Sequence, residues 1–283
     1  VVTRIAFQGV PGAYAEEAVR EYFGPEAEAV PCQTLDEVFR LVEEGKADRC
    51  MLAVENAVTG SVPRSYELLM ERDLRICAEA ILQAQLVLLG SKGTKLEDVE
   101  RVRSHPQALA QCQGFLSRHG LRPVPALDPA TSARDLAASP EDGVAVIAGK
   151  LAGEVYGLDA IQEGIGDIPF NYTRYFVLAM EEPPRAQRNK TSVLFTTPHQ
   201  PGALYDCLGE FAKRRINLTK IESRPRLNRP WQYVFYLDFE GHSTDPECEA
   251  AMMGLLRRSS LVKLLGSYPA ATIPVPEEDT GEG

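Results

Sequence analysis

Residues 3–23, "TRIAFQGVPGAYAEEAVREYF", decide how the chain is to be read. "TRIAFQG" is a short apolar run that ends in Gly9, the mark of a strand running into a turn. Ala15, Ala18, Val19 and Tyr22 then recur at helical spacing. A strand, a Gly-rich turn and a helix open an α/β unit built on a parallel sheet. The turn has a second use. Backbone N–H groups from Gly9 to Gly12, with the helix dipole behind them, can hold a carboxylate. Taken alone, it reads as an ordinary strand–turn–helix connection.

The same alternation continues along the chain. "TLDEVFRLVEEG" (34–45) carries a capping-box pair, Thr34 and Glu37, and stops at Gly45. "CMLAVEN" (50–56) is an apolar strand that terminates in Glu55 and Asn56. "QLVLLG" (85–90), a helix over 105–119, a helix over 131–138, "GVAVIAG" (143–149) and a helix over 149–156 follow. "GDIPFNYTRYFVLAM" (166–180) ends as a buried strand. Strands alternating with helices imply largely parallel sheets covered on both faces.

Near residue 181 the text changes to a polar, Pro-containing linker, "EEPPRAQRNK". Beyond it come a strand "TSVLFTT", a helix over 202–214, a strand "NLTKIESRP", a strand over 231–239, a helix over 246–258 and a strand over 261–267. That order, βαββαβ, is a ferredoxin-like unit. Trp231, Tyr233, Phe235, Leu237 and Phe239 alternate, so one face of their strand is expected to be buried and the other open. Leu204, Leu208 and Phe211 form the buried stripe of the preceding helix.

Bulk composition narrows the function classes. A chain of 283 residues spans more than one typical domain, and 44% hydrophobic content suits a globular core. A net charge of −10 argues against a nucleic-acid partner, because no basic face competes for phosphates. The six cysteines are scattered without a C-x-x-C pair, and with four histidines no zinc spacing appears, so no metal is expected. Reduced thiols suit a cytoplasmic location. No apolar run reaches membrane length, and residues 1–8 enter a strand rather than forming a signal peptide. The Pro- and acid-rich end, from 269 to 283, is expected to be a loose tail.

Four short segments put polar residues at strand–helix junctions, where open α/β sheets hold ligands. The turn at Gly12 is the first. In the second, "ENAVTGSV" (55–62), Glu55 and Asn56 leave a buried strand, and Gly60 and Ser61 turn toward a helix. Asn, Gly and Ser are also plain turn formers, so that reading stays open. In "SHPQALAQC" (104–112) Ser104 reads as an N-cap, Pro106 suits the first helical turn, and Gln107 and Gln111 share a face. His105 then stands at the positive end of a helix, where a neutral imidazole offers one donor and one acceptor. A well-capped surface helix explains the same letters. The fourth segment sets Asn171, Thr173, Arg174 and Tyr175 at the mouth of a strand. Arg grips carboxylates bidentately, and a cation beside a hydroxyl stabilises negative charge as its proton leaves. Thr, Arg and Tyr are equally at home at strand ends with wet tips.

Together and in this order, these segments resemble the prephenate dehydratase family followed by an ACT regulatory domain. The family segments are G-x-x-G-T-[FY]-S, E-N-S-x-x-G-S-[VI], S-H-P-Q-A-L-x-Q-C and N-x-T-R-F, with G-A-L-[VY] and E-S-R-P in the regulatory unit. "SHPQALAQC" and "IESRP" agree fully and the others in part, over residues 1–268. Ala13, Ala15, Ala57, Pro129, Gly166 and Tyr175 depart from the family letters, and "QGVPGAY" is similar to plant arogenate dehydratases. The resemblance implies a two-lobed α/β catalytic domain like the periplasmic binding proteins, over 1–181, with one lobe at 1–76 and 157–181 and the other at 77–156. It further implies a ferredoxin-like ACT domain over 190–268. With no mutase segment or transit peptide ahead of it, the chain is expected to be monofunctional.

The implied reaction converts prephenate to phenylpyruvate with loss of water and CO2, without cofactor. Thr173 is the implied general acid, with Arg174 and Tyr175 beside it. Gly12, Glu55, Asn56, Gly60, Ser61, Ser104, His105, Gln107 and Asn171 are the implied substrate residues. L-Phenylalanine is the implied effector, at Gly202, Ala203, Leu204, Asn217, Leu218, Glu222 and Ser223, in a homodimer or homotetramer. Two rivals stand beside this expectation. One is the same elimination on arogenate, and the other is a non-catalytic amino-acid sensor on the same scaffold.

Overall fold

The computed structural model describes residues 2–226 and 229–272. Most of the tail expected from 269 onward, residues 273–283, lies outside them, as does the side chain of Trp231. The chain begins with β1 (Arg4–Gln8), α1 (Tyr14–Phe23), β2 (Glu28–Cys32), α2 (Leu35–Glu43), β3 (Arg49–Asn56), β4 (Gly60–Ser61) and α3 (Pro63–Glu71). Next come β5 (Arg75–Gln83), β6 (Val87–Gly90), β7 (Arg101–Ser104), α4 (Pro106–Gln111), α5 (Gln113–Arg118) and β8 (Arg122–Pro125). After α6 (Pro129–Ala138), β9 (Val144–Ala148), α7 (Lys150–Tyr156) and β10 (Asp159–Gln162), the chain enters β11 (Tyr172–Ala179). The remainder is β12 (Asn189–Thr196), α8 (Ala203–Ala212), β13 (Leu218–Arg226), β14 (Arg229–Glu240), α9 (Pro246–Arg258) and β15 (Leu261–Pro269).

The strands form three sheets. The first runs β2-β1-β3-β11-β5, with β4 hairpinned onto β3. The second runs β10-β6-β9-β7-β8, and the third β13-β14-β12-β15. β1 pairs parallel with both β2 and β3, and β7 pairs parallel with β8 and β9, as alternating strands and helices require. Central strands are buried on both faces: Ile5, Ala6 and Phe7 of β1 have no exposed surface, which explains their unbroken apolar run. Two α/β sheets linked by crossing segments give a fold of the periplasmic-binding-protein type. The third sheet, in the βαββαβ order, is ferredoxin-like. No described helix is long and apolar enough to cross a membrane.

Several boundaries differ from expectation for physical reasons. β5 belongs to the first sheet and β10 to the second, so residues 77–83 and 159–162 exchange the lobes expected for them. β10 is short and half polar, and only its pairing with β6 reveals it as a strand. The helix expected over 105–119 is broken at Cys112, whose φ of −116° leaves the helical region between α4 and α5. The chain divides into two compact units: residues 1–63 with 80–175, and residues 64–79 with 176–272. α3 and the first half of β5 therefore belong with the C-terminal sheet.

In that second unit β14 is not open on one side. Leu237 and Phe239 face the helices with Val193, Cys207, Phe211 and Leu255. Val234, Tyr236 and Asp238, on the other face, are buried as well. Tyr236 donates its hydroxyl to the Tyr66 carbonyl at 2.7 Å, and the two rings meet edge to face. Alternation hides this because Tyr and Asp read as polar letters, while the partner of Tyr236 lies 170 residues away in α3 and Asp238 accepts from Ser192 on β12.

Candidate active site

Within the first unit a cavity of about 450 Å³ opens where strands of two sheets end. Gln8 ends β1 and Gly9 follows it, Gln33 follows β2, His105 follows β7, Leu127 to Ala130 follow β8, and Gly149 follows β9. Carboxyl ends of parallel strands are where such sheets hold ligands, since the backbone there is released from the ladder. Gly12, Ala13 and Tyr14 complete the wall.

Gly12 serves packing more than anion binding. Its N–H already donates to the buried Glu16 Oε2 at 2.7 Å, and the Gly9 N–H donates to the Cys32 carbonyl at 2.9 Å. The N–H groups of Gly9 and Gly12 are thus engaged within the protein. The carboxylate that takes the Gly12 N–H stands one turn into the same helix and reaches it without any loss of translational freedom. Gly12 itself has φ +83°, and a Cβ there would lie 2.8 Å from the Ala152 Cα. Glycine is what lets this turn touch α7.

The helix after β7 is capped by His105 and not by Ser104. Pro106 occupies the first helical position, so the cap is the residue before it, and the Gln107 N–H donates to His105 Nδ1 at 3.2 Å. With Nδ1 accepting, the neutral ring carries its proton on Nε2. Ser104 is buried in β7 and donates its hydroxyl to the Ile147 carbonyl at 2.7 Å. Gln107 is exposed and does not line the cavity.

Three of the four sequence segments converge through side chains. Asn56 Nδ2 donates to Asn171 Oδ1 at 2.7 Å and to Thr173 Oγ1 at 3.0 Å. Asn171 Nδ2 in turn donates to Gln111 Oε1 at 3.2 Å, at the far end of α4 from His105. The Ala57 N–H donates to the Tyr172 carbonyl at 2.8 Å. Glu55 and Ser61 face each other across the β3–β4 hairpin, whose turn needs Gly60 at φ +81°. Thr173 belongs to this cluster, and neither it nor Arg174, both half-buried, is in the lining of the cavity.

Tyr175 does not reach solvent. It is 3% exposed, and burial, followed by the nearby Glu17, pushes its phenol well above the ordinary range. A strand that enters the core between Thr173 and Phe176 carries the third side chain in with it. Among the described residues no group of three or more His, Cys, Asp or Glu stands where it could hold a metal ion.

The family model for prephenate dehydratase matches residues 5–183, which contain all four of these segments. The chain belongs to the prephenate dehydratase family. Its members, including the arogenate dehydratases, are lyases that eliminate water on the way to phenylalanine. Arogenate dehydratase/prephenate dehydratase 1 of Arabidopsis thaliana is 41% identical over 282 residues, covering 94% of this chain and 72% of its own. The prephenate dehydratase of Arthrobacter aurescens, solved in complex with L-Phe, superposes with TM-score 0.86 at 33% identity over 96% of this chain and 93% of its own. GqqA, described as a novel type of quorum-quenching acylase, superposes with TM-score 0.89 at 35% identity over 95% and 98%.

The C-terminal sheet is the ACT-like unit of this family member. A pocket of about 350 Å³ is lined there by His199, Gly202, Ala203, Leu204, Tyr205 and Tyr233, among others. Three of the expected effector residues, Gly202, Ala203 and Leu204, line it, and Gly202 opens α8 at φ +80°. Asn217, Leu218, Glu222 and Ser223 are not in its lining. Glu222 pairs with Lys220 and with Arg224, each at 3.4 Å, and Leu218 packs on the helix-side core.

Sequence reasoning missed Gln8, Gln33, Asp128 and Glu17. The first two follow strand ends, and that position was the available signal. Asp128 caps α6 by accepting from the Thr131 N–H at 2.7 Å, a pair readable as D-x-x-T before a helix. Glu17 gives no local sign: its Oε2 is buried without a partner, 3.1 Å from where a Cβ at Gly149 would stand. Burial first, then Glu21 and Glu154, lift its carboxyl from 4.5 to about 7.

Proposed function

We propose that this chain is a prephenate dehydratase controlled by L-phenylalanine. The observation that carries the reading is the state of Thr173. Its Oγ1 accepts from Asn56 at 3.0 Å, which leaves its own proton to be given elsewhere, and Arg174 follows it in the strand. As the carbon–carboxylate bond of prephenate breaks, its electron pair enters the ring and expels the hydroxyl. Thr173 delivers a proton to that departing oxygen, so water and CO2 leave and the aromatic ring forms. Solvent then restores the Thr173 proton. A positioned acid contributes roughly 10² to 10⁴ in rate. Arg174 stabilises the charge developing on Thr173 and grips a substrate carboxylate. His105 presents its Nε2 proton to the cavity.

A second reading, elimination from arogenate, is favoured by the 41% identity to a relative named for both activities. The chemistry is shared, and only the side chain carried through it differs. The acylase named for one structural relative is a third possibility, which calls for amide hydrolysis instead. Turnover of prephenate and of arogenate, side by side with an acylase assay, separates the three. Formation of phenylpyruvate is expected, and its absence overturns the proposal.

Phenylalanine control draws on the pocket beside Gly202 and on the L-Phe bound to the Arthrobacter aurescens protein. Inhibition requires that phenylalanine bind the less active arrangement more tightly. We further propose a homodimer or homotetramer built on β13, which ends its sheet. Calorimetry showing no phenylalanine binding, or a monomer by light scattering, defeats the respective claim.

A further inference from the structure

The amides around Thr173 form a chain whose direction is set by the backbone. Asn56 Oδ1 faces the N–H groups of Val58 and Thr59, both at 3.0 Å, and the Thr59 hydroxyl at 3.1 Å. A backbone N–H can only donate, so the atom turned toward these groups is the amide oxygen. The amide nitrogen therefore points the other way, at Asn171 Oδ1, at the Tyr172 carbonyl (3.2 Å) and at Thr173 Oγ1. An amide nitrogen has no lone pair to offer, so the Thr173 hydroxyl must accept there.

The far end is anchored in the same sense. Asn171 presents its oxygen to Asn56, so its nitrogen faces the Ala84 carbonyl at 3.4 Å and Gln111 Oε1 at 3.2 Å. A carbonyl can only accept, which agrees with that orientation. Reversing any one amide would set donor against donor or acceptor against acceptor in a partly buried place and lose the bonds it now makes. Asn171 is only 6% exposed, so it meets other side chains rather than a ligand.

We propose that Asn56, backed by Asn171 and Gln111, is a positioning residue that holds the Thr173 hydroxyl as an acceptor and so directs its proton toward the substrate. This assignment rests on Thr173 as the acid of the elimination. A threonine hydroxyl without such a partner hydrogen-bonds readily to a nearby backbone carbonyl and has no proton in hand. Asn56 and Asn171, expected from sequence to bind substrate, thus act through Thr173.

The test uses isosteric exchanges that change only donor and acceptor character. Asn56→Asp still accepts from Val58 and Thr59, but it sets an acceptor against Thr173 and draws the proton back. Its kcat is expected to fall by about 10²-fold with KM within a few-fold, the signature of an interaction realised in the transition state. Gln111→Met, which removes the acceptor for Asn171, is expected to lose about tenfold in kcat through misplacement of the chain. Gln111→Glu, which restores an acceptor oxygen, is expected to recover most of that loss. Wild-type turnover is measured first, because its absence would remove the elimination reading itself. With an active wild type, near-normal kcat in Asn56→Asp overturns this proposal alone. So does equal impairment of the two Gln111 variants. If thermal melting shows Asn56→Asp unfolded, the Gln111 pair decides.

Discussion

Two polar clusters, one in each compact unit, end differently. In the C-terminal unit, Ser192 meets Asp238 Oδ1 at 2.5 Å and the Tyr268 hydroxyl at 2.7 Å. Thr191 meets Ser267 at 2.8 Å, and Lys190 pairs with the fully buried Glu79 at 2.8 Å. Each of these hydroxyls faces a partner that can absorb its proton. In the first unit, the run from Gln111 through Asn171 and Asn56 ends on Thr173, whose hydroxyl accepts. A closed cluster holds structure. Under the proposed function, the open one has a proton to give. Polar residue content does not separate them; the direction of the last hydrogen bond does.

The largest expected effect breaks the closed cluster. Lys190→Met takes the Lys190 cation, at 2.8 Å, from Glu79, which has no exposed side-chain surface and keeps the Ala271 N–H at 2.8 Å. A loss of about 3 kcal/mol in unfolding free energy is expected by urea titration. A variant as stable as wild type would mean that the Lys190–Glu79 pair does not hold the closed cluster together. Next, Thr173→Ala takes the proton from the open end. Its turnover should drop about 10²-fold or more, roughly 2.7 kcal/mol of barrier, while melting stays close to wild type. Activity that survives would make the open end structural too.

Ser192→Ala sharpens the contrast from the other side. It leaves the Asp238 and Tyr268 contacts incomplete in a buried place, so about 1–3 kcal/mol of stability should go with kcat retained. A catalytic loss without destabilisation would contradict it. The smallest effect concerns Glu17, whose Oε2 stands alone between the two extremes. Its carboxyl titrates at about 7 in the folded chain against 4.5 as reference, so the folded state holds the proton more tightly. Below 4.5 both states are protonated and Glu17 costs nothing. As pH rises from 4.5 to 7 the unfolded chain ionises first and stability is lost, and above 7 the loss is constant. Glu17→Gln cannot ionise, so its melting temperature should match wild type at pH 4 and exceed it increasingly up to pH 7. Parallel melting profiles across that window would place the Glu17 carboxyl in water.

Much of this was legible in the letters. Thr34 caps α2 as its spacing to Glu37 requires, with the Glu37 N–H on Thr34 Oγ1 at 3.1 Å. The βαββαβ order of residues 189–269 was readable from periodicity, and so was the placing of polar letters at strand ends. The polarity of β14 misled because its second buried face is completed by α3, far away in sequence. The Gly12 turn misled because the Gly12 N–H is taken by Glu16, one turn further on, and the Gly9 N–H by the Cys32 carbonyl. Ser104 looked like a cap because Ser is a common one, yet Pro106 moves the cap to His105.

What the linear order determined is which residue types stand where strands stop: amides, a threonine and an arginine at the mouths of apolar runs. Periodicity and turn chemistry are local, so they can be read without a fold. Only tertiary structure decided which way each amide faces, because that depends on donors and acceptors brought from segments more than a hundred residues apart. A hydrogen bond has a direction, and the letters of a sequence do not.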